Sequence, residues 1–139
     1  MVAQLSSKMI IPRQRLAAVA DGRLADANVL VNAGRHAAAV YIGGYAVECC
    51  LKAAICKTLD LDDLPGTFAV HDLELLLLHS GLNKQIQLDA HVHEAFNKLR
   101  EVWDETVRYD DPGKYTESEA RSVINWVTEV VGWVKRKTN

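Results

Sequence analysis

The sequence predicts an all-α protein, an antiparallel four-helix bundle of the up-and-down type with one additional short helix. Three observations carry this. Apolar residues recur at spacings of three and four along four long segments, the period of a helix buried on one side. Short runs rich in Gly, Pro, Asn and Asp separate the segments, and connections of that kind join antiparallel neighbours. The most apolar segment is dominated by alanine and shows no apolar–polar alternation, which argues against a strand.

The chain has 139 residues, 49% of them hydrophobic and 24% charged, an ordinary globular composition with enough material for one domain spanning 1–139. The formal net charge of −2 leaves no global basic footprint, so any nucleic-acid binding has to come from a local site. The apolar patch in Met1 to Ile11 is too short for a signal h-region and lacks a basic segment ahead of it. No stretch is expected to span a membrane, and the chain is expected to be cytoplasmic.

Pro12 suits the first position of a helix, and Leu16, Ala20, Leu24, Ala27 and Leu30/Val31 follow at helical spacing. Asn32-Ala33-Gly34 supplies the stop. The second helix is expected from Arg35 to Leu59. Its centre, Ala37 to Ala46, is crowded with small residues. Gly43 and Gly44 each cost about 1 kcal/mol relative to alanine in a helix interior. That points to close packing, within the bundle or across subunits. Asp60 to Val70 reads as an irregular loop. A short third helix follows from about His71, with Leu73, Leu76 and Leu77 inward, and ends at Ser80-Gly81. The fourth is expected as one helix from about Lys84 to Val107, with Ile86, Val92, Phe96, Leu99, Val102/Trp103 and Thr106 on one face. Asp110-Asp111-Pro112-Gly113 is a turn. Thr116 and Glu119 have the spacing of a capping box. The last helix then carries Ala120, Val123/Ile124, Val127, Val130/Val131 and Val134 inward and ends in Lys135-Arg136-Lys137, cations that suit a helix C-terminus.

Three features go beyond scaffolding. Tyr41, Tyr45, Glu48 and Lys52 are four, three and four residues apart and line one face of the second helix. Glu48 and Lys52 stand in the favourable order for an ion pair, and the tyrosine hydroxyls are available to a shared network. The stripe is expected to be a polar groove or a subunit contact. His71-Asp72 opens the third helix, where it serves as a cap or places an imidazole at a site mouth. Arg108-Tyr109 closes the fourth helix. An Arg there interacts with free carbonyls, and an Arg beside an aromatic also holds a phosphate or stacks a base. Cys49, Cys50 and Cys56 share one helix and cannot pair within it, so they read as free thiols filling the core. A metal centre is not expected, because Glu-x-x-His is absent and His91 and His93 diverge on a helix.

The run Ala39-Val40-Tyr41-Ile42-Gly43-Gly44-Tyr45-Ala46-Val47-Glu48-Cys49-Cys50-Leu51-Lys52-Ala53 resembles the HEPN domain family, whose second helix commonly shows an aromatic, then Gly-Tyr-Ala-Val-Glu, then Leu-Lys-Ala. His71-Asp72-Leu73 and Trp103…Arg108-Tyr109 look like one prokaryotic branch of it, and the likeness spans about Ala17 to Val134. The resemblance implies a homodimer. It also implies either a metal-independent, cofactor-free RNase acting through Arg-x4–6-His, or a partner of a nucleotidyltransferase in a toxin–antitoxin module. In the RNase mechanism the Arg stabilises the phosphate and the His assists attack by the ribose 2′-hydroxyl.

Arg108 is the counterpart of the motif Arg, but Gly113, Lys114 and Tyr115 stand where the His should fall, and no Arg-x4–6-His occurs in the chain. A tyrosine is a poor base near neutrality, with an ordinary pKa of about 10. The leading expectation is therefore a nucleotide- or RNA-associated dimer acting with a nucleotidyltransferase-type partner, its groove lined by Tyr41, Tyr45, Glu48, Lys52 and Tyr109. The alternatives are an RNase with Arg108 as phosphate clamp and His71 or Tyr115 moving the proton, and a dimeric interaction module without catalysis.

Overall fold

Entry to the first helix is fixed before the helix begins. In this computed structural model, which describes residues 10–139, the Arg13 amide donates to the Asp62 carbonyl and the Leu64 amide to the Ile11 carbonyl, each at 2.9 Å. The loop that was expected to be irregular is thus anchored against the start of the bundle. The expectation for the apolar patch Met1 to Ile11 falls, from Met1 to Met9, outside the described residues.

Helix α1 (Arg13–Asn32) has Pro12 as its cap and buries Leu16, Ala20, Ala27 and Val31. Gly34 turns the chain at φ +78°, a conformation that costs glycine nothing. Helix α2 (His36–Thr58) follows at once and packs against α1 along its length. From Ala46 to Leu51 every consecutive residue is buried, so this helix is surrounded rather than laid on a surface. Its length and composition would allow a membrane span, contrary to the expectation that no stretch would. However, 78% of its apolar window is covered inside the bundle, which identifies it as the core helix.

After a 3-10 turn at Gly66–Phe68 come α3 (Leu73–Ser80) and the single turn α4 (Asn83–Ile86). Helix α5 (Ala90–Val102) and a 3-10 stretch (Glu105–Tyr109) lead to α6 (Glu117–Thr138). Besides α1, α2 contacts α3, α6 and the 3-10 stretch, while α5 closes on α6. The result is an all-α bundle, with no strand among the described residues and one isolated bridge between Pro12 and Asp63.

The expected single helix from Lys84 to Val107 is three pieces. Asp89 accepts the Val92 amide at 3.3 Å and starts α5 afresh, with Leu88 left 89% exposed at the break. At the other end Trp103 is extended (φ −122°, ψ 127°), and the Asp104 carboxylate takes the Thr106 amide at 2.8 Å to open the 3-10 stretch. Val102 and Thr106, expected inward, are exposed, whereas Trp103 is buried. Two aspartates competing for backbone amides outweigh the apolar period here.

Both central glycines serve packing inside the bundle. A Cβ on Gly43 would fall 2.9 Å from Ile124 Cδ1 of α6, and one on Gly44 would fall 2.1 Å from the Trp103 indole nitrogen. At the far end Thr116 and Glu119 form the expected capping box, with bonds of 3.1 and 2.9 Å. Lys135 in the last turn pairs with Asp21 of α1 at 2.7 Å.

Candidate functional site

The α2 stripe is divided between two environments. Tyr41 and Tyr45 are half-buried and stack at 6.4 Å, and Tyr41 stacks in turn on Trp103 at the same distance. The indole nitrogen donates to the Tyr41 carbonyl at 3.1 Å, so the aromatic row is pinned at its end. Burial beside the Cys49 thiol pushes the Tyr45 phenol up to about 12. One turn on, Glu48 is 1% exposed and Lys52 8%, joined at 2.9 Å. These two were expected on a groove surface; they lie beneath it. No tyrosine hydroxyl reaches them by a hydrogen bond among the described residues, so the expected shared network is absent there. A helix surrounded on all sides has no free face for an ion pair, and the pair holds because each charge has its partner inside.

Glu48 has a second partner. His71, just ahead of the Asp72 cap of α3, places Nδ1 at 3.1 Å from both Glu48 oxygens, while its Nε2 lies 3.3 Å from Glu105. The carboxylate fixes the ring orientation, as a buried acid behind a histidine commonly does. The groove it faces, about 780 Å³, is acidic: Asp72, Glu74, Asp104 and Glu105 line it with Arg100, and Arg100 is already held by Glu74 at 2.6 Å. That sign repels a phosphate chain.

Arg108 and Tyr109 stand elsewhere. Both are exposed, Tyr109 at 76%, and the guanidinium sits 4.9 Å from the centre of the Tyr109 ring. They end a 3-10 stretch rather than a helical turn. Arg108 lines a separate groove of about 630 Å³ with Arg35, His36 and Tyr41. Arg23, Arg100 and Arg121 are each paired with a carboxylate, whereas Arg35 and Arg108 are in no ion pair among the described residues.

Tyr115, the third catalytic candidate, is tied down. Its hydroxyl donates to Asp110 Oδ2 at 2.8 Å, and burial together with that bond raises the phenol well above its ordinary range. Lys114 takes the other Asp110 oxygen at 3.2 Å. The structure therefore groups Arg108 with Tyr41, groups His71 with Glu48 and Lys52, and leaves Tyr115 with Asp110; the three do not share a groove.

Sequence reasoning passed over Arg35, His36 and Glu105. For the first two there was a signal: two basic-type side chains directly after a glycine turn, at the start of a helix with no acidic residue in its first turn. Glu105 carried none. The cysteines are free and buried, and burial pushes Cys50 up to about 12, away from reactive thiolate. Among the described residues no three His, Cys, Asp or Glu side chains gather closely enough to hold a metal.

The HEPN domain family model matches residues 14–137. No curated protein and no solved structure matches the chain significantly.

Proposed function

The chain belongs to the HEPN family, and from that premise we propose that it binds RNA or a nucleotide through the Arg108–Tyr109 end of its 3-10 stretch. In this reading it works in the cytoplasm as a homodimer, beside a nucleotidyltransferase-type partner in a toxin–antitoxin-like module. At the family level the HEPN domain carries a nucleotide- or RNA-associated role, and such domains commonly dimerise.

One observation carries the choice of site. Arg108 lies over the ring of an exposed tyrosine and, among the described residues, is in no ion pair with a carboxylate. A free guanidinium takes a phosphate in a bidentate, charge-assisted bond, and an exposed aromatic offers a face to a base. The acidic groove at His71 offers neither. The reading is of binding rather than cleavage, since His71 lines a different groove from Arg108 and the Tyr115 hydroxyl is held by Asp110.

The test is a titration of fluorescently labelled single-stranded RNA and of labelled nucleotides with the parent, Arg108→Ala and Tyr109→Ala. Capture of the product of a neighbouring gene tests the partner. Saturable binding weakened by both substitutions supports the site. Equal affinity in all three proteins, or no binding at all, removes it.

A further inference from the structure

We infer that His71 and Glu105 form a proton-operated latch on Arg108. The protonated imidazole holds Glu105 away from the guanidinium, and loss of its proton frees a carboxylate that competes with the RNA for Arg108. This regulation rests on the reading of Arg108 given above and adds two positioning residues to it, neither of which touches the ligand.

His71 stands between two carboxylates. Its Nδ1 lies 3.1 Å from both oxygens of Glu48, and its Nε2 lies 3.3 Å from Glu105 Oε2. A neutral imidazole has one N–H, and its other nitrogen carries a lone pair. Only the imidazolium turns an N–H to each side, so the arrangement with both carboxylates close belongs to the protonated ring. When the ring gives a proton to solvent, one carboxylate is left facing a lone pair. The two are not equal. Glu48 is 1% exposed and is bound by Lys52 at 2.9 Å, whereas the Glu105 side chain is 51% exposed and has water within reach. The proton therefore leaves Nε2, and Glu105 is the acid that lets go.

The released carboxylate has a destination. Glu105 and Arg108 are three residues apart on the 3-10 stretch, a separation at which residues stand one above the other. Such a Glu would be a ready counter-charge for the Arg. Instead Glu105 lines the groove of His71, while Arg108 lines the groove of Arg35 and Tyr41 and is in no ion pair among the described residues. The contact with His71 accounts for that division. The stretch itself has other anchors: buried Val107, the Asp104 cap on the Thr106 amide at 2.8 Å, and the Trp103 indole on the Tyr41 carbonyl at 3.1 Å. Release thus moves a side chain and leaves the backbone in place.

The other charged groups around the ring come from four elements. Lys52 stands behind Glu48 on α2, Asp72 and Glu74 open α3, Arg100 comes from α5, and Asp104 precedes the 3-10 stretch. Glu74 and Arg100 hold each other at 2.6 Å, and Asp72 and Asp104 accept the Leu75 and Thr106 amides. Tyr45 and Cys49, beside Glu48 on α2, are both pushed up by burial and keep their protons. Of these residue types, histidine is the one that ordinarily changes charge between about pH 5 and 8.

The test follows binding of fluorescently labelled single-stranded RNA from about pH 5.5 to 8 by the parent, His71→Ala, Glu105→Gln and Arg108→Ala. The parent is expected to lose about two- to fivefold in affinity as pH rises, the usual effect of one exposed ion pair. His71→Ala should bind at the weak level throughout, because its Glu105 is never held. Glu105→Gln should bind at the tight level throughout, because an amide leaves the Arg108 charge in place. Those opposite directions separate the latch from a loss of structure, and melting temperatures are compared with the parent. A slope common to the parent and both variants belongs to His36, which lines the Arg108 groove; the latch is the part that both variants lose. In the RNA-free parent, the His71 ring signals and the Arg108 Nε–H signal should titrate together by NMR. RNA binding that needs Arg108 but keeps the parent's whole pH profile in both variants overturns the latch and leaves the Arg108 reading intact. Absence of RNA binding at every pH removes that reading. An Arg108 signal that still follows the His71 ring then supports the latch, and one that ignores the ring overturns it.

Discussion

The imidazole of His71 is held 3.1 Å from both oxygens of Glu48, a carboxylate that is 1% exposed and already bound to Lys52. One buried acid therefore serves two cationic-type partners, one on its own helix and one from the segment that opens α3. It fastens the chain entering α3 to the core helix. The Glu48–Lys52 half of this arrangement is helical spacing; the His71 half is tertiary.

Breaking that pair from one side should be severe. Glu48→Gln leaves Lys52, 8% exposed, as a buried ammonium without a counter-charge, a change that typically costs about 3–5 kcal/mol. Glu48→Gln with Lys52→Met removes both charges and should cost clearly less than the two single changes added together. His71→Ala, at a side chain half open to solvent, should cost within about 1 kcal/mol. Urea unfolding of the parent, Glu48→Gln, Lys52→Met, the double variant and His71→Ala measures this; single and double variants that add without coupling would show that the pair is not a unit.

Alkaline pH should loosen the fold through Cys50. Its pKa rises from 9.0 to about 12 because burial penalises the thiolate. Between those values the unfolded chain has lost the proton and the folded chain keeps it. The unfolded state then binds fewer protons, and stability falls as pH rises. The contribution is whole below the ordinary thiol range and is lost on approach to about 12. Tyr45, raised from 10.0 to about 12 chiefly by burial, adds a second loss starting higher. Cys50→Ala should flatten the lower part of the decline in denaturation midpoints across the alkaline range. A decline of the same slope in the variant would assign it to other groups.

How much was legible follows from which interactions are local. The stops at Gly34 and Gly81, the capping box at Thr116 and the inward valines of α6 depend on neighbours within a turn or two, and sequence periodicity found them. The break at Asp89 was missed because an apolar period persists across it; the backbone stops where the Asp side chain captures an amide. The exposure of the stripe was misjudged for a different reason. Periodicity places Glu48 and Lys52 on one face, but whether a neighbour covers that face is decided by residues far along the chain, among them His71. Arg35 and His36 were visible as residues, yet nothing local says that they meet Arg108 across a groove.

The two glycines of α2 should respond differently to alanine. At Gly44 the new methyl would lie 2.1 Å from the Trp103 indole nitrogen, and a ring stacked on Tyr41 and bonded to its carbonyl has no easy way aside. Overpacking of this kind costs about 1–3 kcal/mol or more, beyond the roughly 1 kcal/mol of helix propensity gained. Gly44→Ala should therefore destabilise and expose Trp103, seen as a red shift in tryptophan emission. At Gly43 the nearest atom, 2.9 Å away, is the flexible tip of Ile124, which can turn. Gly43→Ala should be the milder of the two by thermal melting; the reverse order would show that Trp103 yields more readily than Ile124.

Arg108 and Tyr109 should separate in a salt titration. A guanidinium that binds a phosphate displaces counterions, so Arg108→Ala should weaken RNA binding and reduce the salt slope by about one. Tyr109 contributes a stacking face, without charge. Tyr109→Ala should weaken binding by about 1–3 kcal/mol, the usual loss of one base–aromatic contact, and leave the slope where it was. Both side chains are exposed, so neither change should move the melting temperature appreciably. Binding isotherms at several salt concentrations distinguish the roles. If Tyr109→Ala flattens the slope as much as Arg108→Ala, the ring is acting by holding the guanidinium in place, as their 4.9 Å contact allows, and not as a platform for a base.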